Sequence, residues 1–67
     1  MDPDANIANQ RLLITRLQIE PSDQDARTGL AELTGALRGW LACGGFSPAA
    51  PDWRQVQAVA GRLLSRH

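Results

Sequence analysis

The chain has no lysine and no tyrosine, a single cysteine, a single phenylalanine and no long run of apolar residues. Seven arginines stand against seven acids, and with the histidine neutral the formal net charge is zero. No overall positive field therefore draws the chain to nucleic acid or to an anionic membrane surface. One cysteine excludes an internal disulfide framework and a cysteine-built zinc site, and a free thiol fits a reducing compartment, so a cytoplasmic protein is expected. The longest apolar run, Trp40-Leu41-Ala42-Cys43, falls far short of the roughly 20 residues a membrane helix needs, so no membrane role is expected. Met1-Asp2-Pro3-Asp4 places acids where a secretory leader carries positive charge, so no leader is expected. Valine, isoleucine, threonine and aromatics are sparse and nowhere alternate with polar residues, which argues against a sheet.

What remains is a helical composition. Hydrophobic residues make up 43% of the 67, and ten of them are alanine. A chain of this size forms one domain and buries about 60% of its unfolded surface, which leaves it marginal without help. There are no internal repeats and no low-complexity tracts. Two breaks, Glu20-Pro21-Ser22-Asp23 and the Gly44-to-Pro51 stretch, divide the chain into segments of helical period. The sequence therefore predicts a single all-α domain over 1–67, a three-helix bundle with helices at about 3–19, 23–43 and 51–66, completed by self-association.

The first segment has Asp2 to cap it and Pro3 at its first position. Ile7, Leu13, Ile14 and Leu17 form one apolar face; Ala8, Leu12 and Ile19 fall on a second, which predicts a helix covered on both sides. For the second segment, Ser22 with Asp25 three residues on resembles a capping box. Ala26, Leu30, Leu33, Leu37, Trp40 and Gly44 follow 4-3-4-3-4 spacing, while Ala31, Gly35, Gly39, Ala42 and Cys43 gather opposite. Gly35 and Gly39, one turn apart, either admit a close neighbouring helix, kink this one, or reflect composition alone. In the third segment Pro51 opens the helix, and Trp53, Val56, Val59, Ala60, Leu63 and Leu64 make a broad apolar face. The expected core is Leu13, Leu17, Leu30, Leu33, Leu37, Trp40, Val56 and Leu63, with Trp53 also packed inside.

Residues that could carry chemistry are few. Cys43 lies at the C-terminal end of a helix, where the dipole disfavours a thiolate, and its one possible base, His67, is the last residue. A buried or half-buried structural thiol is expected. Asp2, Asp4, Asp23, Asp25 and Asp52 all sit at helix starts, where the dipole explains them; Glu20 and Glu32 lack an acidic or histidine neighbour. No calcium loop, His-Glu-x-x-His helix or phosphate-binding glycine loop occurs. No catalytic, cofactor or metal site is expected, and the chain does not read as an enzyme.

The expectation is instead a protein-protein interaction module that assembles, docks or inhibits a target. Its most natural partner is a copy of itself, as a dimer, with a larger protein as a further possibility. The candidate interface is Ala31, Gly35, Gly39 and Ala42 with Leu12 and Ile19. The alternative is a small dimeric DNA-binding regulator reading through Arg54, Gln55, Arg62 and Arg66 of the third helix. It is disfavoured because the connection before that helix, about eight residues, exceeds the three or four of a helix-turn-helix. A weaker alternative is an accessory subunit of a larger enzyme.

Overall fold

The structure, a computed structural model, describes residues 1–65. Three helices, α1 (Pro3–Ile19), α2 (Gln24–Ala42) and α3 (Trp53–Leu64), account for the secondary structure, with no strand among the described residues. The all-α expectation is met. Asp2 caps α1 by accepting from the backbone N–H groups of Asp4 and Ala5 at 3.0 and 3.1 Å, with Pro3 at the first position.

The other two starts differ from expectation. Asp23, not Ser22, caps α2, accepting from the Ala26 N–H at 3.0 Å, while the Ser22 hydroxyl donates to Glu20 at 2.6 Å. The Ser22–Asp25 box is therefore off by one residue. α3 begins at Trp53 rather than Pro51, and Asp52 makes no capping bond because its carboxylate is taken by Arg11 of α1.

A short turn makes α1 and α2 an antiparallel hairpin, in which Asn6 lies against Leu33 and Leu13 against Gly29. α3 returns alongside α1, and all three helices touch one another. The core joins Ile7, Ile14 and Leu17 to Ala26, Leu30 and Leu37 and to Val56 and Ala60. Leu13, Leu33, Trp40, Leu63 and Trp53, expected inside, are half-buried. The reason lies in α1, whose inward stripe is Pro3, Ile7, Gln10, Ile14 and Leu17 at 4-3-4-3 spacing, alongside Asn6. A count of apolar residues passes over the two amides, so the core axis is rotated from the expected one.

Gln10 is fully buried, and Asn6 and Thr34 nearly so. The Gln10 amide donates to Asn6 Oδ1 and to Gln57 Oε1, each at 2.7 Å. Asn6 donates in turn to the Leu33 carbonyl at 3.0 Å, and Gln57 to the Thr34 carbonyl at 3.2 Å. Gln10, Asn6 and Gln57 together thus tie α1, α2 and α3 at a single level. Both Gln10 donor hydrogens are used, while its Oε1 is buried without a partner, a cost the surrounding bonds must offset.

α2 runs unbroken through Gly35 and ends in a Schellman turn. Gly44 adopts φ +88°, its N–H donates to the Leu41 carbonyl at 3.1 Å, and the Gly45 N–H donates to the Trp40 carbonyl at 2.8 Å. This carries the Gly45 backbone across the Trp40 indole, so closely that a Cβ at Gly45 would overlap the ring. The indole N–H donates to the Phe46 carbonyl at 2.9 Å, and the Phe46 ring meets Trp40 edge-on at 5.4 Å while staying 66% exposed. The connection is therefore anchored by Trp40, with Phe46 leaning on it from outside. Further along, Asp4 Oδ1 accepts from the N–H groups of Ala49 and Ala50 at 2.8 and 3.1 Å, tying the loop to the start of α1. Cys43 is exposed, contrary to the expected half-buried thiol, because α2's outer face meets no other helix.

Gln10→Ala leaves a cavity and strands the Asn6 and Gln57 acceptors, so chemical denaturation should show a loss of about 2 to 4 kcal/mol. An unchanged midpoint would mean the amides do not hold the helices together. The glycines should respond with opposite signs. Gly45→Ala should lower stability by roughly 1 to 3 kcal/mol through overlap with Trp40. A Cβ at Gly35 or Gly39 meets nothing, so Gly35→Ala or Gly39→Ala should raise stability by up to about 1 kcal/mol; thermal melts of the three variants give the signs.

Candidate docking groove

α1 and α2 leave a trough between them on the side away from α3, with a volume of about 790 Å³. Its floor is Leu13, Gly29, Leu33 and Ala36; its lips are Asn9, Leu12, Thr15 and Arg16 on α1 and Glu32 on α2. Gly29 sets the depth: a Cβ there would lie 3.2 Å from Leu13 Cδ1, so its absence lets the leucine sink toward α2. Leu13 and Leu33 are half-buried, while Leu12 stands at the edge 65% exposed. The surface is apolar at its centre and carries one charge of each sign at its rim. Arg16 is steadied by Asp23 at 3.1 Å, and Glu32 has no ion pair among the described residues.

Of the interface residues expected from sequence, only Leu12 lines this trough. Leu12 is on its lip. Ile19 is 80% exposed at the C-terminal end of the α1 ridge, and Ala8, also on that ridge, is exposed. The second apolar face of α1, expected to be covered, is thus open in the single chain. Ala31, Gly35, Gly39 and Ala42 are all exposed on the outer side of α2, and no helix of the same chain approaches Gly35 or Gly39. Gly29, Glu32 and Ala36 were not anticipated as groove residues. Gly29 was legible only as a glycine inside a helix; its proximity to Leu13 depends on the register of the hairpin.

A second, smaller trough of about 340 Å³ runs between α1 and α3 over Ile14, Val56 and Val59. Arg11 lines it, donating through both guanidinium nitrogens to the two carboxylate oxygens of Asp52, one of them at 3.0 Å. This bidentate pair bridges α1 and α3 beside that trough, and the Arg16–Asp23 pair bridges α1 to the start of α2 at the edge of the larger one. The Arg11 hydrogen bond holds the Asp52 carboxyl below the usual carboxylate range, against a smaller opposing effect of partial desolvation. Asp23 is lowered chiefly by the Ala26 N–H, with partial desolvation opposing and Arg16 adding to the shift.

The candidate nucleic-acid residues share the exposed side of α3. Arg54, Gln55 and Arg62 are exposed, and the Arg54 guanidinium lies 5.0 Å from the centre of the Trp53 ring; Arg66 and His67 lie outside the described residues. Elsewhere Arg38 is exposed and makes no hydrogen bond or ion pair among the described residues, while three other arginines serve the fold. Arg11 and Arg16 are ion-paired, and Arg27 donates to the carbonyls of Leu63 at 2.9 Å and Pro21 at 3.4 Å. Among the described residues no group of three metal-capable side chains gathers, and no helix is long and apolar enough to cross a membrane. The chain matches no known protein family, and no curated protein or solved structure is significantly similar to it.

The two depressed carboxyls give a pH dependence of fixed sign. A carboxyl lowered on folding stabilises the protein at pH above its unfolded value, about 3.9, and loses that contribution as pH falls through the folded value. Asp52→Asn should therefore be less stable than the natural protein at pH 7, with the difference shrinking as melts are taken below about pH 4. A difference that grows in acid would contradict the ion pair.

Proposed function

We propose that this chain is a non-enzymatic protein-docking module whose working surface is the α1–α2 trough. The observation that carries the reading is the pairing of an open apolar floor, Leu13, Gly29, Leu33 and Ala36, with Leu12 held 65% exposed at its lip. An exposed leucine by itself is ordinary, but an apolar trough edged by polar side chains is how soluble proteins present a site for an amphipathic helix. The neighbouring α1–α3 trough makes the contrast, since it is smaller, about 340 Å³, and has an ion pair of the chain's own in its lining. The commitment of Arg11, Arg16, Arg27 and Arg54 to contacts within the fold supports protein over nucleic acid as the partner.

The test is a titration of the isotope-labelled protein with a neutral, leucine-rich amphipathic peptide, followed by amide chemical shifts. Shifts should concentrate at Asn9, Leu12, Leu13, Gly29, Leu33 and Ala36, and Leu33→Glu should abolish them while leaving the helical circular dichroism intact. In parallel, a labelled random DNA duplex should show no binding that steepens as salt is lowered from 200 to 50 mM. Salt-dependent duplex binding with shifts on Arg54, Gln55 and Arg62 would overturn this reading in favour of a DNA-binding regulator.

A further inference from the structure

Building on that reading of the trough as a docking surface, we infer that its occupant is a second copy of this chain, laid across it about a two-fold axis at the level of Leu12. Leu13 faces Gly29 and Asn6 faces Leu33. Glu32 on α2 therefore lies about one helical turn to one side of Leu12, and Arg16 on α1 lies one turn to the other. At 1.5 Å rise per residue both offsets are on the order of 5 Å.

A two-fold axis running across both helices at Leu12 reverses these offsets in the second copy. Arg16 of one protomer then comes level with Glu32 of its partner on the diagonally facing helix, and the symmetry makes the contact twice. The charge pattern is self-complementary, as a closed two-fold interface requires. A trough whose lips carried one sign of charge would repel its own copy. Here the opposite charges match, and the zero net charge of the chain adds no long-range repulsion.

The same operation accounts for the exposed ridge of α1. Ala5, Leu12 and Ile19 are seven residues apart, so they form one line along the helix, and all three are exposed. With the axis at Leu12, Leu12 meets its own symmetry mate and Ile19 falls opposite Ala5 of the partner. The most exposed large side chain of the ridge, at 80%, thus comes to rest over a small one, leaving room for the helices to approach. Two hairpins stacked in this way enclose both apolar floors in a four-helix layer, with α3 on the outer side of each copy.

Sedimentation equilibrium tests the inference directly. The natural protein should reach twice the 7.3 kDa chain mass with rising concentration, and Leu12→Asp should remain at the monomer mass with unchanged helical circular dichroism. Charge reversal supplies the test that a general apolar association would not pass. Arg16→Glu alone and Glu32→Arg alone should each weaken self-association by about tenfold, because each faces like charge twice across the axis. An equimolar mixture of the two variants should recover the natural affinity, since every facing pair in the mixed dimer is again opposite in sign. A natural protein that stays monomeric into the millimolar range overturns the second-copy inference, and groove-centred peptide shifts in that case would leave the docking reading standing. A mixture no tighter than either variant alone overturns the two-fold placement, as does a dimer that Leu12→Asp leaves unchanged.

Discussion

The fold turns on one buried side chain. Gln10 sits where three helices meet, and its amide is the shared donor of a network that reaches Asn6 on its own helix and Gln57 on α3. Asn6 and Gln57 each pass a hydrogen bond on to an α2 backbone carbonyl. Such bonds tolerate no sliding: moving any helix by one residue would break at least one bond and bury its polar partner unpaired. Apolar contacts among Leu, Ile, Val and Ala are far less particular about register. In a chain whose core contains eight buried hydrophobic residues, two of them alanine, the amides specify the arrangement that the hydrophobic side chains stabilise.

Fixing the register of α1 and α2 also shapes the outer surface. Once Asn6 is held at Leu33, Gly29 must face Leu13, and the missing Cβ at Gly29 opens the trough above it. The interior and the trough are therefore consequences of the same alignment. On the other flank Arg11 and Asp52 bridge α1 to the start of α3, which lies two residues later than Pro51. Asp4 and Trp40 hold the long connection from opposite ends, through the N–H groups of Ala49 and Ala50 and the carbonyl of Phe46. Side chains that a sequence reading assigns to helix dipoles or to a core are thus spent on tertiary hydrogen bonds.

A domain of this size has little hydrophobic surface to spare, so an apolar trough left open is costly unless something covers it. That economy connects the fold to the proposed role. The exposed ridge of Ala5, Leu12 and Ile19, the trough beside it and the two opposite charges on its lips lie on one face of one hairpin. α3, by contrast, presents Arg54, Gln55, Ala58 and Arg62 outward, an ordinary solvated helix face with Arg54 folded back on Trp53.

The sequence by itself determined the helical class, the places where the chain turns, and the Asp2–Pro3 start of α1, because capping, proline restriction and helical period are local effects. It also determined that α1 carries a second apolar line, Ala8, Leu12 and Ile19, since periodicity alone reveals it. Only the tertiary structure decided which line faced inward. Gln10 and Asn6 read as surface residues until partners on α2 and α3 satisfy them, and Leu13 and Leu33 read as core until the helices rotate to accommodate those amides. The positions of Gly29 and Glu32 in the trough were likewise beyond reach. Each depends on which residue of α1 lies opposite, and that pairing is fixed by hydrogen bonds between residues 27 and 47 positions apart in the chain.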